Sequence, residues 1–132
     1  MEARVKKAPV KASSRLKYAV FSPSPWKWEM CVFHGGTKDQ FAASVKKHID
    51  ADIGDTISGA MGYCYVEMDK PVMVWVHDIG DIPTLVHELI HAVFGMLNGR
   101  GLTHSKDSEE AFTYSLEAVL KAIMANKKWE AA

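Results

Sequence analysis

An α+β fold is predicted by three observations. Short β-rich runs bounded by turn residues recur in the first half of the chain: "YAVFS" at 18–22, "WEMCVFHGG" from 28, "GAMGYCYVEMD" from 59 and "PVMVWVHD" from 71. Helical spacing of apolar residues marks 38–54, 82–98 and about 108–127. The chain has 132 residues, 48% hydrophobic and 24% charged, enough for one core and too few for two ordinary ones. The expected architecture is a small twisted sheet, mixed or antiparallel, packed on one helix from the N-terminal half and on two consecutive C-terminal helices.

Each element follows from its residues. Residues 1–17, "MEARVKKAPVKASSRLK", carry six Lys or Arg and no aromatic, so they read as a flexible basic arm before a single domain at 18–132. The first strand stops at "PSP" and the second at the glycine pair Gly35–Gly36. In "KDQFAASVKKHIDADIG", Phe41, Val45, His48 and Ile49 fall on one face with lysines opposite, as in an amphipathic helix lying on a sheet. A turn at Asp69–Lys70 joins the last two strands, and Pro71 opens the final one, where a missing donor costs least. Gly95 suits close helix packing, while Gly99 and Gly101 end the helix.

Composition excludes several roles. Sixteen basic residues balance sixteen acidic ones, so no nucleic-acid footprint and no attraction to an anionic membrane surface is expected. No apolar run approaches the roughly 20 residues that span a bilayer. Cys31 and Cys64 stand outside any C-x-x-C pair and no secretion signal precedes them, which predicts reduced, buried thiols in a soluble, cytoplasmic protein.

The chemistry concentrates in "PTLVHELIHAVFGMLNG". At about 100° per residue, His87 and His91 stand about 40° apart on one helix face, with Glu88 beside them. Two imidazoles one turn apart can hold one metal ion. The segment is an H-E-x-x-H sequence, in which the histidines ligate zinc and the glutamate takes a proton from metal-bound water. Leu85, Val86, Leu89, Ile90, Val93 and Phe94 make the rest of the helix apolar, and polar groups in such a helix need a partner. Two histidines leave a catalytic zinc one protein ligand short. His104, Asp107, Glu109 and Glu110 are the downstream candidates, with the sheet as another source.

Over 71–123 the chain resembles gluzincin-type zinc metallopeptidases, especially small zincin-like proteins encoded by bacteriophages. The resemblance implies a zincin-like fold, peptide or protein substrate, a host-cytoplasm setting if phage-encoded, and a ligand glutamate opening the helix after H-E-x-x-H. By position, Glu110 matches that third ligand and Tyr114 the residue one turn later. The thermolysin-like pattern has an acidic residue where Tyr114 stands, and the second domain that walls the cleft of large gluzincins is missing. Glu110 also fits a capping box opened by Asp107, and His104 would instead make a three-histidine site. On this reading Glu88 is the general base, and Tyr114 or His104 stabilises the oxyanion.

Other residues carry weaker signals. Trp26, Lys27 and Trp28 form either a stacking platform or rings covering a core edge. His77 and Asp78 are turn formers or supports for the metal helix. The "YCYVEMD" strand is the expected sheet edge for an extended peptide. A zinc-stabilised binding module acting on a host factor without cutting it is the alternative to an enzyme, and Glu88 argues against it, because a purely structural site needs no acid there.

Overall fold

The computed structural model describes residues 15–22, 28–54 and 61–132. It is an α+β structure with a five-stranded mixed sheet and three helices. The elements are β1 (Lys17–Phe21), β2 (Met30–His34), α1 (Lys38–Ile49), β3 (Gly62–Tyr65), β4 (Val72–Val76), α2 (Ile82–Gly99), α3 (Glu109–Ala125) and β5 (Glu130–Ala131). The sheet order is β3-β4-β2-β1-β5, with β2 and β4 parallel and every other pairing antiparallel.

Strand alternation sorts the core into two halves. Met30, Val32, Val72, Val74 and Val76 face α2 and α3, where Leu85, Leu89, Met96, Phe112, Val119 and Ile123 meet them. Cys31, Phe33, Met73 and Trp75 face α1, against Phe41, Val45 and Ile49. β4 is buried at every position, as a strand covered by helices on both faces must be.

Several expectations shift in detail. α1 stops at Ile49 rather than running to residue 54, because Asp50 turns left-handed at φ 56° and its N–H bonds back to Lys46. At the other end Thr37 and Gln40 form a capping box. Asp69 takes φ 64° in the expected turn before β4. Leu16 is buried in the α1-side core and Lys17 begins β1, so these two residues belong to the folded unit rather than to an arm. The remainder of the arm, residues 1–14, lies outside the described residues.

β5 was not foreseen from sequence. Its pairing with Lys17 and Tyr18 places Trp129 against Phe21 and against His34, at ring separations of 6.1 and 4.5 Å. Gly95 does admit a close neighbour, but that neighbour is the chain leaving β3 rather than a helix: a Cβ there would lie 2.7 Å from Val66 Cγ2.

Candidate metal centre

α2 begins where its sequence says it should. Asp81 caps it, accepting from the Thr84 N–H at 3.3 Å and from the Thr84 hydroxyl at 2.7 Å, and Pro83 sits in the first turn where no N–H is needed. His77 Nε2 lies 2.9 Å from Asp81 Oδ2. Hydrogen bonds from His77 and Thr84 hold the Asp81 carboxyl below its ordinary range. His77 therefore supports the start of α2, and Asp78 turns the chain by accepting from Gly80 N–H.

Three sides of α2 meet three environments. Leu85, Leu89, Ala92, Val93 and Met96 enter the core. Thr84, Glu88 and Gly95 lie against the β3 segment: a Cβ on Gly62 would stand 2.9 Å from both Glu88 Cγ and Thr84 Cγ2. His87 and His91 occupy the remaining, exposed side, their ring centroids 4.8 Å apart at 80°. The juxtaposition of the two imidazoles expected from their spacing is present.

Glu88 is only 8% exposed and its carboxylate makes no hydrogen bond to a described residue. Burial raises its pKa, while His87 and His91 pull it partly back down. A groove of about 340 Å³ lies over it, lined by Gly62, Tyr63, Cys64, Val66, Glu88 and His91. Burial, with the Glu88 charge adding to it, pushes the Cys64 thiol up to about 12. β3, which contributes Gly62, Tyr63 and Cys64 to this groove, is one of the two edge strands of the sheet among the described residues.

The other expected site residues are placed differently. His104 stacks on Phe94 at 5.3 Å and meets Phe112 edge-on at 5.1 Å, so it flanks the exposed side of α2 about one turn beyond His91. Glu110 and Tyr114 each lie two residues from Phe112, hence about 200° round α3 from the ring that packs against α2. Both are exposed, Tyr114 at 64%. The structure does not bring either to the histidine pair. Nor is Glu110 part of a capping box: Ser108, not Asp107, is the cap of α3, and it makes no side-chain cap bond. Among the described residues no three His, Cys, Asp or Glu side chains are gathered closely enough to hold a metal ion.

Trp28 is a core-edge ring, with its indole N–H donating to the Lys70 carbonyl at 2.9 Å and the Arg100 guanidinium 5.2 Å from the ring centre. Trp26 and Lys27 lie outside the described residues. Gly62, Cys64 and Val66 are site residues that sequence reasoning did not single out as such. The available signal was a glycine and a small cysteine alternating with two tyrosines in "GYCY", the pattern of a strand whose lighter face must approach another backbone.

The donor chemistry fits zinc only in part: two imidazoles stand one turn apart with a carboxylate beside them, and no third donor is gathered to them among the described residues. Comparison with family models, curated proteins and solved structures returns no match. The functional reading therefore rests on this geometry.

Proposed function

We propose that the chain is a zinc-dependent hydrolase of zincin-like architecture, acting on peptide bonds as a metallopeptidase. The observation that carries this is the paired face of α2: His87 and His91 stand exposed one turn apart, with the largely buried Glu88 beside them lining a groove shared with β3. Burial disfavours the charged form of Glu88 and raises its pKa, at a position where its oxygens still open onto the groove. A general base for water is the role that suits it.

His87 and His91 would hold the ion. Zinc, when bound, lowers the pKa of water to about 7 and polarises a carbonyl. Glu88 accepts the proton of the attacking water and returns it to the leaving amine; the raised pKa that burial gives it brings it nearer to the working pH. An extended peptide pairs with the outer edge of β3, the "YCYVEMD" segment, which holds the scissile bond beside the groove. His104, on the flank of the exposed histidine side, is the better placed of the two oxyanion candidates, because Tyr114 projects from the far side of α3.

The test is Glu88→Gln. Zinc content should stay near one ion per chain, while peptide cleavage falls by roughly 10²–10⁴-fold, the usual contribution of a positioned base. The binding-module reading is favoured by one observation, the absence of a gathered third ligand among the described residues. It wins if the wild type, loaded with zinc and screened on broad peptide pools, cuts nothing and Glu88→Gln binds every partner the wild type binds.

A further inference from the structure

We infer that residues 126–132 form a pH-gated strap, which lies closed over the neutral imidazole of His34 and opens when that ring becomes an imidazolium. A buried ring atom, what covers it and how lightly the cover is held carry this, and no metal is involved.

His34 ends β2 and, by strand alternation, shares the face of Met30 and Val32 that looks toward α2 and α3. Its Nε2 is enclosed and has no hydrogen-bond partner, the one side-chain nitrogen or oxygen in that state among the described residues. Least is lost when the neutral ring carries its proton on Nδ1 and leaves only a lone pair at Nε2. An imidazolium has a proton on both nitrogens, so a buried, charged N–H would stand there without an acceptor. The cover is Trp129, whose ring lies 4.5 Å from the imidazole at 85° and 6.1 Å from Phe21. Attraction between the cation and the indole face would offset part of the cost but supplies no acceptor.

The surrounding charges favour the neutral ring. Burial is the largest influence and lowers the His34 pKa from 6.5; Lys17, directly opposite on β1, lowers it further, and Asp78 beyond β4 opposes both. The other packed elements add little. β4 presents Val76, and the last turn of α3, residues 122–125, is uncharged. α2 opens with the uncharged residues 82–85 behind Asp81, which His77 and Thr84 engage. In the strap, Lys127 and Lys128 are exposed, and Glu130 pairs with Tyr18, whose ring stacks on Phe33 at the α1 side.

The strap itself is held lightly. β5 is two exposed residues paired with Lys17 and Tyr18, followed by one bond from the Ala132 N–H to the Leu16 carbonyl at 3.0 Å. An element of this size opens locally at far less cost than the core. Opening brings His34 Nε2 to water and frees the outer edge of β1 for another strand.

Histidine-selective NMR from about pH 4 to pH 8, with hydrogen exchange of the Ala132 amide corrected for its intrinsic pH dependence, tests this. His34 should titrate below 6.5. As pH falls from 6.5 toward that lower value, strap opening should rise by up to about tenfold per pH unit, while amides of the buried β4 stay protected. His34→Gln should make strap opening independent of pH over this range. Trp129→Ala should return the His34 titration to about 6.5; if His34→Gln does not fold, this variant and the wild-type curves decide. Titration of wild-type His34 at or above 6.5, an Ala132 amide indifferent to it, or a pH dependence that persists in His34→Gln overturns the inference. So does parallel loss of protection in β4, which would mean that the whole fold opens rather than the strap.

Discussion

Glu88 is a carboxylate whose folded surroundings disfavour its charge. Its ordinary pKa of 4.5 is raised by burial, so the folded state binds a proton more readily than the unfolded chain. The sign follows: native protein holds more protons than unfolded protein above about pH 4.5, and stability declines as pH rises from there through the raised folded value. Metal-free Glu88→Gln should therefore be at least as stable as wild type at neutral pH, with a flatter stability profile above pH 4.5. Urea denaturation at several pH values in the presence of a chelator measures this. A variant much less stable than wild type at pH 7 would mean that the carboxylate has a structural partner. Asp81 contrasts with it: its pKa is lowered by His77 and Thr84, so its contribution is present above the ordinary carboxylate pKa and lost as pH falls through the depressed one.

At the level of elements, the shape of the candidate site depends on how closely β3 approaches α2. Gly62 and Gly95 set that distance, each sitting where an added Cβ would overlap a side chain, at 2.9 and 2.7 Å. Gly95→Ala gains about 1 kcal/mol of helix propensity but must displace Val66, and overpacking of this kind costs about 1–3 kcal/mol. The expected result is a net loss of stability with zinc affinity little changed. Gly62→Ala carries the same overpacking cost and in addition pushes directly on the Glu88 side chain, so its activity should fall further than its stability accounts for. Thermal melts beside turnover rates separate the two. Equal effects on activity from both variants would argue that β3 matters only as packing. The C-terminal strap contributes at another edge, where β5 covers β1 and Trp129 closes over His34.

For the whole molecule, a metal held by His87 and His91 should stabilise the native state that gathers them. The histidines sit on the exposed side of α2, outside the cluster that joins α2, α3 and the sheet. A ligand that binds only the native state stabilises it by about 2.7 kcal/mol when present at 100 times its Kd. Zinc should accordingly raise the melting temperature by several degrees, and His87→Ala or His91→Ala should abolish that rise while leaving the metal-free melt nearly unchanged, since both side chains are exposed. An unchanged melting temperature for wild type with and without zinc, confirmed by metal analysis, would remove the metal from the account. Among the described residues no helix is long and apolar enough to cross a membrane.

Local rules made much of this protein legible before any coordinates. Strand alternation, helical spacing and the turn residues placed β1 to β4 and all three helices, and the four-residue interval between His87 and His91 put two imidazoles on one face because helix pitch is a property of the backbone alone. Short-range geometry needs no knowledge of the rest of the fold. The three-dimensional structure decided everything that depends on residues far apart in the chain. β5 is two residues long, too short to carry a pattern, and exists because Lys17 and Tyr18 offer an open edge. Glu110 and Tyr114 are spaced suitably after H-E-x-x-H, yet their direction depends on which side of α3 packs, and Phe112, Val119 and Ile123 turn them away. Cys64 looked like a small buried hydrophobe because a sequence carries no trace of what lies across a groove. Its position beside His91 and Glu88 arises from the register of β3 on β4 and from two glycines that let a strand lie close against a helix.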